Sequence, residues 1–137
     1  MDIEQQLAEV IAEDEQPAVV TIYQPDGEPY RAADGSEATM SLLGSESKKV
    51  RQAQDRALRR LIRQRSRGQN EVEEARQNRI EVATAALVAW HGWEIGGKPA
   101  VLTAENAAKV FRVQHILQQV EEVVSGHARF FKSNSPA

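Results

Sequence analysis

The chain has 137 residues, 41% of them hydrophobic but only 5% aromatic, so a core must be built mostly from Val, Ile, Leu and Ala. It has no cysteine, which excludes disulfides, thiolate zinc sites and cysteine nucleophiles. The net charge of -3 conceals a division: residues 1–47 sum to -10, residues 48–67 to +8 and residues 68–137 to -1. An acidic head, a basic rod and a near-neutral remainder suit contact with other surfaces more than they serve the fold.

The start, Met1-Asp2-Ile3-Glu4, is acidic, is followed by no long apolar run and does not read as a secretory signal. No stretch reaches the roughly 20 apolar residues of a membrane span. The expected compartment is the cytoplasm. Ile3, Leu7, Val10 and Ile11 predict a short amphipathic helix, ended by Glu13-Asp14-Glu15 and Pro17. Residues 18–23 are β-branched and predict a strand, with a turn at Pro25-Asp26-Gly27. Residues 39–43 alternate weakly and predict the returning strand of a small hairpin, which needs a third strand or a helix to cover it.

Ser45 or Ser47 is the expected N-cap of a helix running to about residue 67. Val50, Ala53, Ala57, Leu58, Leu61 and Ile62 form its apolar stripe, opposite Lys49, Arg56, Arg59, Arg60, Arg63 and Arg67. A second helix is expected from about Glu71 to His91, lined by Val72, Ile80, Ala83, Leu87 and Trp90 and buried on more than one face over 82–90. Gly96-Gly97 and Pro99 mark a turn, and Thr103 caps a third helix that buries Ala107, Val110 and Phe111. A fourth, or its continuation, buries Ile116, Leu117, Val120, Val123 and Val124. The fold class is thus mainly α with a small N-terminal β-hairpin (α+β), a long amphipathic helix joining it to a C-terminal helical bundle. The segments are an acidic helix plus hairpin at 1–46, the basic connecting helix at 47–68, the helical domain at 69–131 and a polar tail at 132–137.

Nothing in the sequence makes a catalytic motif. His91, His115 and His127 lack helical pairing, and Glu121-Glu122 beside His115 still leaves a zinc site short of a third ligand. Gly96-Gly97-Lys98 lacks the first glycine, the Ser or Thr and the preceding strand of a phosphate loop. No enzyme activity, metal or cofactor is expected. The basic face of the rod reads first as a solvated surface, next as a contact for a protein or for the acidic head of a neighbouring copy, and last as a nucleic-acid track. For the last it lacks interleaved aromatics to stack bases. Trp90, Trp93, Phe130 and Phe131 either close the helical core or anchor an interface. With Arg56, Arg59 and Arg63 they are the candidate partner-binding residues. The opposed charges of head and rod further predict a homo-oligomer.

Several short motifs occur in an order that resembles the small tail assembly chaperones of long-tailed bacteriophages. They are the run Thr84-Ala85-Ala86-Leu87-Val88-Ala89-Trp90-His91-Gly92-Trp93, the turn Gly97-Lys98-Pro99, the helix start Thr103-Ala104-Glu105-Asn106-Ala107 and the element His127-Ala128-Arg129-Phe130-Phe131. Leu42-Leu43-Gly44-Ser45-Glu46-Ser47 leading into a Gln- and Arg-rich helix completes the likeness, which covers residues 18–131. The chain departs from the pattern at His91, before Arg129, where an Asp is missing, and in the acidic helix that precedes the hairpin. The resemblance implies a non-enzymatic protein of the host bacterial cytoplasm. Such a protein binds the tape-measure protein, keeps its apolar helix in solution, and yields to tail-tube subunits as the tail assembles. Two other functions remain open: a nucleic-acid-binding accessory protein using the basic helix, and a structural tail subunit retained in the virion.

Overall fold

The computed structural model describes residues 1–65 and 71–126. Helix α1 (Ile3–Asp14) starts at Asp2, whose carboxylate accepts from the amides of Glu4 and Gln5 and satisfies two free donors of the first turn. Strands β1 (Ala18–Thr21) and β2 (Thr39–Leu42) pair antiparallel, Ala18 opposite Leu42. The loop between them is folded back on itself through bridges at Tyr23–Pro29 and Arg31–Glu37. Helices α2 (Lys48–Arg65) and α3 (Glu71–Ala86) pack on each other, and β3 (Leu87–His91) follows α3 without an intervening turn. A miniature hairpin, β4 (Glu94–Ile95) and β5 (Lys98–Pro99), turns on Gly96 and Gly97 at φ of 62° and 78°, the pair of positive angles a tight two-residue hairpin requires. Helices α4 (Ala104–Phe111) and α5 (Gln114–Val124) complete a mixed α+β fold.

The expected helix over 71–91 stops at Ala86, and its last five residues form β3 instead. An apolar run has no polar partner positions to fix its period, so Leu87-Val88-Ala89-Trp90-His91 fits a strand as well as a helix. The sheet decides the outcome. β3 pairs antiparallel with β2, Met40 opposite Trp90 and Leu42 opposite Leu87, which makes β2 the central strand of three. The predicted burial on more than one face also fails, because Val88 and Ala89 are exposed at the sheet edge.

One cluster of buried residues runs from Ile22 to Val124 and draws on β2, α2, α3, β3, α4 and α5. The residues named from sequence for the last two helices, Ala107, Val110, Phe111, Ile116, Leu117, Val120, Val123 and Val124, are all buried in it. Thr103 caps α4 by accepting from the amide of Asn106, while the Asn106 side chain donates to the carbonyl of Val101. Arg79 on α3 makes two hydrogen bonds to the Glu121 carboxylate on α5, at 2.9 and 2.6 Å, and ties these helices across the core edge. No helix among the described residues is long and apolar enough to cross a membrane.

Candidate partner-binding surface

Acidic residues at a helix C-terminus oppose its dipole, so Asp14 and Glu15 are badly placed for α1. They are well placed for α2. The Glu46 amide donates to Asp14 Oδ2 at 2.8 Å and the Lys48 amide to Glu15 Oε1 at 2.6 Å. The Gly44 amide also donates to the Asp14 carbonyl at 2.9 Å. The C-terminus of α1 therefore caps the N-terminus of α2. The expected serine cap is not made: the Ser47 hydroxyl, fully buried, turns back to donate to the Gly44 carbonyl.

Held by this end, α1 keeps its apolar stripe in solvent. None of its residues is buried, and exposure rises along the stripe from 45% at Val10 through 52% at Leu7 to 67% at Ile3. A groove of about 280 Å³ separates Ile11 and Glu15 from Arg51, Gln52 and Asp55 on α2. Four and eight residues before Ile11, Leu7 and Ile3 share its face.

On α2 the predicted burial holds only for the first half. Val50, Ala53 and Ala57 are buried, whereas Leu58 is 57% and Ile62 65% exposed and Leu61 is half-buried. The reason is the reach of the core. Gln54 and Ala57 still line a groove of about 450 Å³ shared with Val82 and Val124, and the main neighbour of α2 among the described elements is α3. Val72, expected on the buried side of α3, is 77% exposed at the same end. Leu58 follows Arg51, and Ile62 follows Asp55, by seven residues, close to two helical turns, which puts both on the face that looks toward α1.

The predicted site residues fall into two separate places. Arg56, Arg59 and Arg63 are exposed on α2, as expected. Arg56 is engaged with Glu81 at 3.4 Å and Arg60 with the same carboxylate at 2.7 Å. Burial works to raise the Glu81 pKa, but the hydrogen bonds and charges of Arg60 and Arg56 outweigh it, and the carboxyl is held below its ordinary value. Trp90 and Trp93 lie at the far side of β2. Trp93 is buried, its indole N–H donating to the Thr39 carbonyl at 3.0 Å, and it packs on Tyr30 with ring centres 5.6 Å apart. Trp90 is half-buried and donates to the Ala100 carbonyl at 3.0 Å. Both indoles are thus committed to the fold, and no groove among those described holds them together with the arginines. Phe130 and Phe131 lie outside the described residues, as does His127.

Two polar constellations were not anticipated. Asp34 Oδ1 accepts from the Ser36 hydroxyl at 2.5 Å, and the same hydroxyl lies 2.7 Å from His91 Nε2. The hydrogen bonds from the Ser36 side chain and amide, helped by the charge of His91, hold the Asp34 carboxyl below its ordinary range. An ionised carboxylate only accepts, so the single serine proton goes to Asp34 and His91 Nε2 must donate to Ser36. The imidazole is then a donor to the hydroxyl and not a base for it, and the trio is a loop clasp without an activated nucleophile. Tyr30 Oη lies 2.5 Å from His115 Nε2, joining the β1–β2 loop to α5, and burial followed by the charge of Asp26 raises its pKa. Among the described residues no three His, Asp or Glu side chains gather closely enough to hold a metal ion.

No family model, no curated protein and no solved structure matches the chain.

Proposed function

We propose that this chain is a non-enzymatic tail assembly chaperone of a long-tailed bacteriophage, which binds the tape-measure protein and holds its apolar helix until tail-tube subunits assemble around it. The observation that carries this reading is the set of exposed aliphatic residues on exposed helix faces: Ile3, Leu7 and Val10 on α1, Leu58 and Ile62 on α2 and Val72 on α3. A small domain gains nothing for its own stability by leaving such side chains in water, and grouped exposed apolar residues mark contact sites. The stripes are helical, spaced at three and four, and match the way an amphipathic or apolar helix is read by a partner. Charged residues flank them on all three helices and keep an otherwise sticky surface hydrated. The biological role comes from the resemblance of the sequence motifs.

Recognition by nucleic acid is the weaker reading. Two of the arginines on the basic helix, Arg56 and Arg60, already share the Glu81 carboxylate, and both tryptophan indoles are turned inward. Retention in the virion as a tail subunit is the other.

A tagged copy captured from phage-producing cells separates the three. Mass spectrometry should find the tape-measure protein with it, and should find no copy of this chain in purified particles. Its presence in finished particles at the abundance of a tail subunit would replace the chaperone with a structural role. A salt-sensitive shift of short DNA or RNA by the purified chain would favour the nucleic-acid reading instead.

A further inference from the structure

We propose that the Leu58–Ile62 stripe of α2 is the seat for α1 of a second copy, so that two copies exchange their acidic helices reciprocally. The stripe asks for an acidic amphipathic helix. Over 18 residues α2 carries eight Lys or Arg against Asp55 alone, and its exposed apolar pair is edged by Arg59 and Arg63. The chain contains such a helix. α1 has four acidic residues and no basic one in 12, with Ile3, Leu7 and Val10 on one side.

The two surfaces do not satisfy each other within one copy. The cap formed by Asp14 and Glu15 fixes only the C-terminal end of α1 beside the first turn of α2. Away from that apex both stripes are exposed: exposure on α1 grows toward Ile3, and Leu58 and Ile62 lie exposed further along α2. A 12-residue helix is about 18 Å long, close to the span of α2 from Arg51 to Arg65. A two-fold arrangement in which each α1 crosses to the partner's α2 makes both contacts at once. It is self-complementary and closes at two copies. The second contact forms at high effective concentration once the first has formed, so two small stripes suffice. Apolar burial supplies the affinity, and the opposed charges set which helix meets which.

The exchange covers the same stripes that the proposed function gives to the tape-measure helix, so the dimer is the form the chain takes without that partner. The test therefore uses the purified chain alone, and its failure leaves the tape-measure reading to be judged by its own experiment. Two variants are made, one with Glu4→Lys and Glu9→Lys on α1, the other with Arg59→Glu and Arg63→Glu on α2. None of the four positions is buried, and circular dichroism checks that both variants keep the wild-type fold. Sedimentation equilibrium should show wild-type dimers, and each variant alone should dimerise about tenfold more weakly or worse. An equimolar mixture of the two variants should regain dimerisation. There the α1 that carries two added lysines meets the α2 that carries two added glutamates, and the unaltered acidic α1 meets the unaltered basic α2. A strictly monomeric wild type at high concentration would overturn the exchange. So would a mixture that associates no better than its separate components.

Discussion

The Asp14 carboxylate occupies the space that a side chain on Gly44 would need: a Cβ placed there would lie 2.2 Å from the Asp14 carboxyl carbon. Gly44 is therefore a glycine for room and not for an unusual backbone angle. Its bareness lets the acidic end of α1 reach the Glu46 amide and cap α2.

Gly44→Ala should force Asp14 out of this position and loosen α1 from α2. The expected cost is about 1–3 kcal/mol, the usual range for overpacking a closed site. Asp14→Ala should cost about 0.5–2 kcal/mol through the lost cap. The two share one physical cause, so the double variant should cost less than their sum. Urea denaturation of the four proteins measures this, and simple additivity would show that the carboxylate and the glycine do not meet.

Trp93→Ala should destabilise the fold by roughly 3–5 kcal/mol, because a buried indole is replaced by a cavity and the Thr39 carbonyl loses its donor. Trp90→Ala should lose less, about 1–2 kcal/mol, since the ring is only half-buried. Equal losses in chemical denaturation would mean that the two rings are equally enclosed.

Glu81 gives the α2–α3 contact a pH dependence. Its folded pKa lies below the unfolded value. Its contribution is therefore present above the unfolded carboxylate pKa and is lost as pH falls through the folded one. Glu81→Gln should thus narrow the stability difference between neutral and acidic pH. Denaturant midpoints across pH 3–7 for both proteins provide the check. A parallel pair of curves would show that Arg56 and Arg60 do not act on this carboxylate.

Much of the fold could be read from spacing. Periodicity named every buried residue singled out in α4 and α5, and the capping role of Thr103, because both are properties of neighbours in sequence. The β3 strand was not legible, since an unbroken apolar run carries no period and its partner lies more than 45 residues away, Met40 against Trp90. The cap on α2 was hidden for the same reason: Asp14 and Glu46 are 32 positions apart. One local sign was available, the Glu13-Asp14-Glu15 cluster at the wrong end of its own helix. For the candidate surface, the exposed arginines of α2 were identified from sequence. Leu58 and Ile62 were assigned to the core because helical periodicity tells which side is apolar and not how far the core extends along it.

Co-expression with the tape-measure protein that the proposed function implies tests the central claim most directly. With the wild-type chain present, the tape-measure protein should move from the pellet to the supernatant of a cell lysate and elute together with the chain. A chain carrying Leu58→Asp and Ile62→Asp, both at exposed positions that leave the fold intact, should lose most of that effect. A tape-measure protein that stays in the pellet with the wild-type chain, or that is held in solution equally well by the doubly substituted chain, would contradict the account.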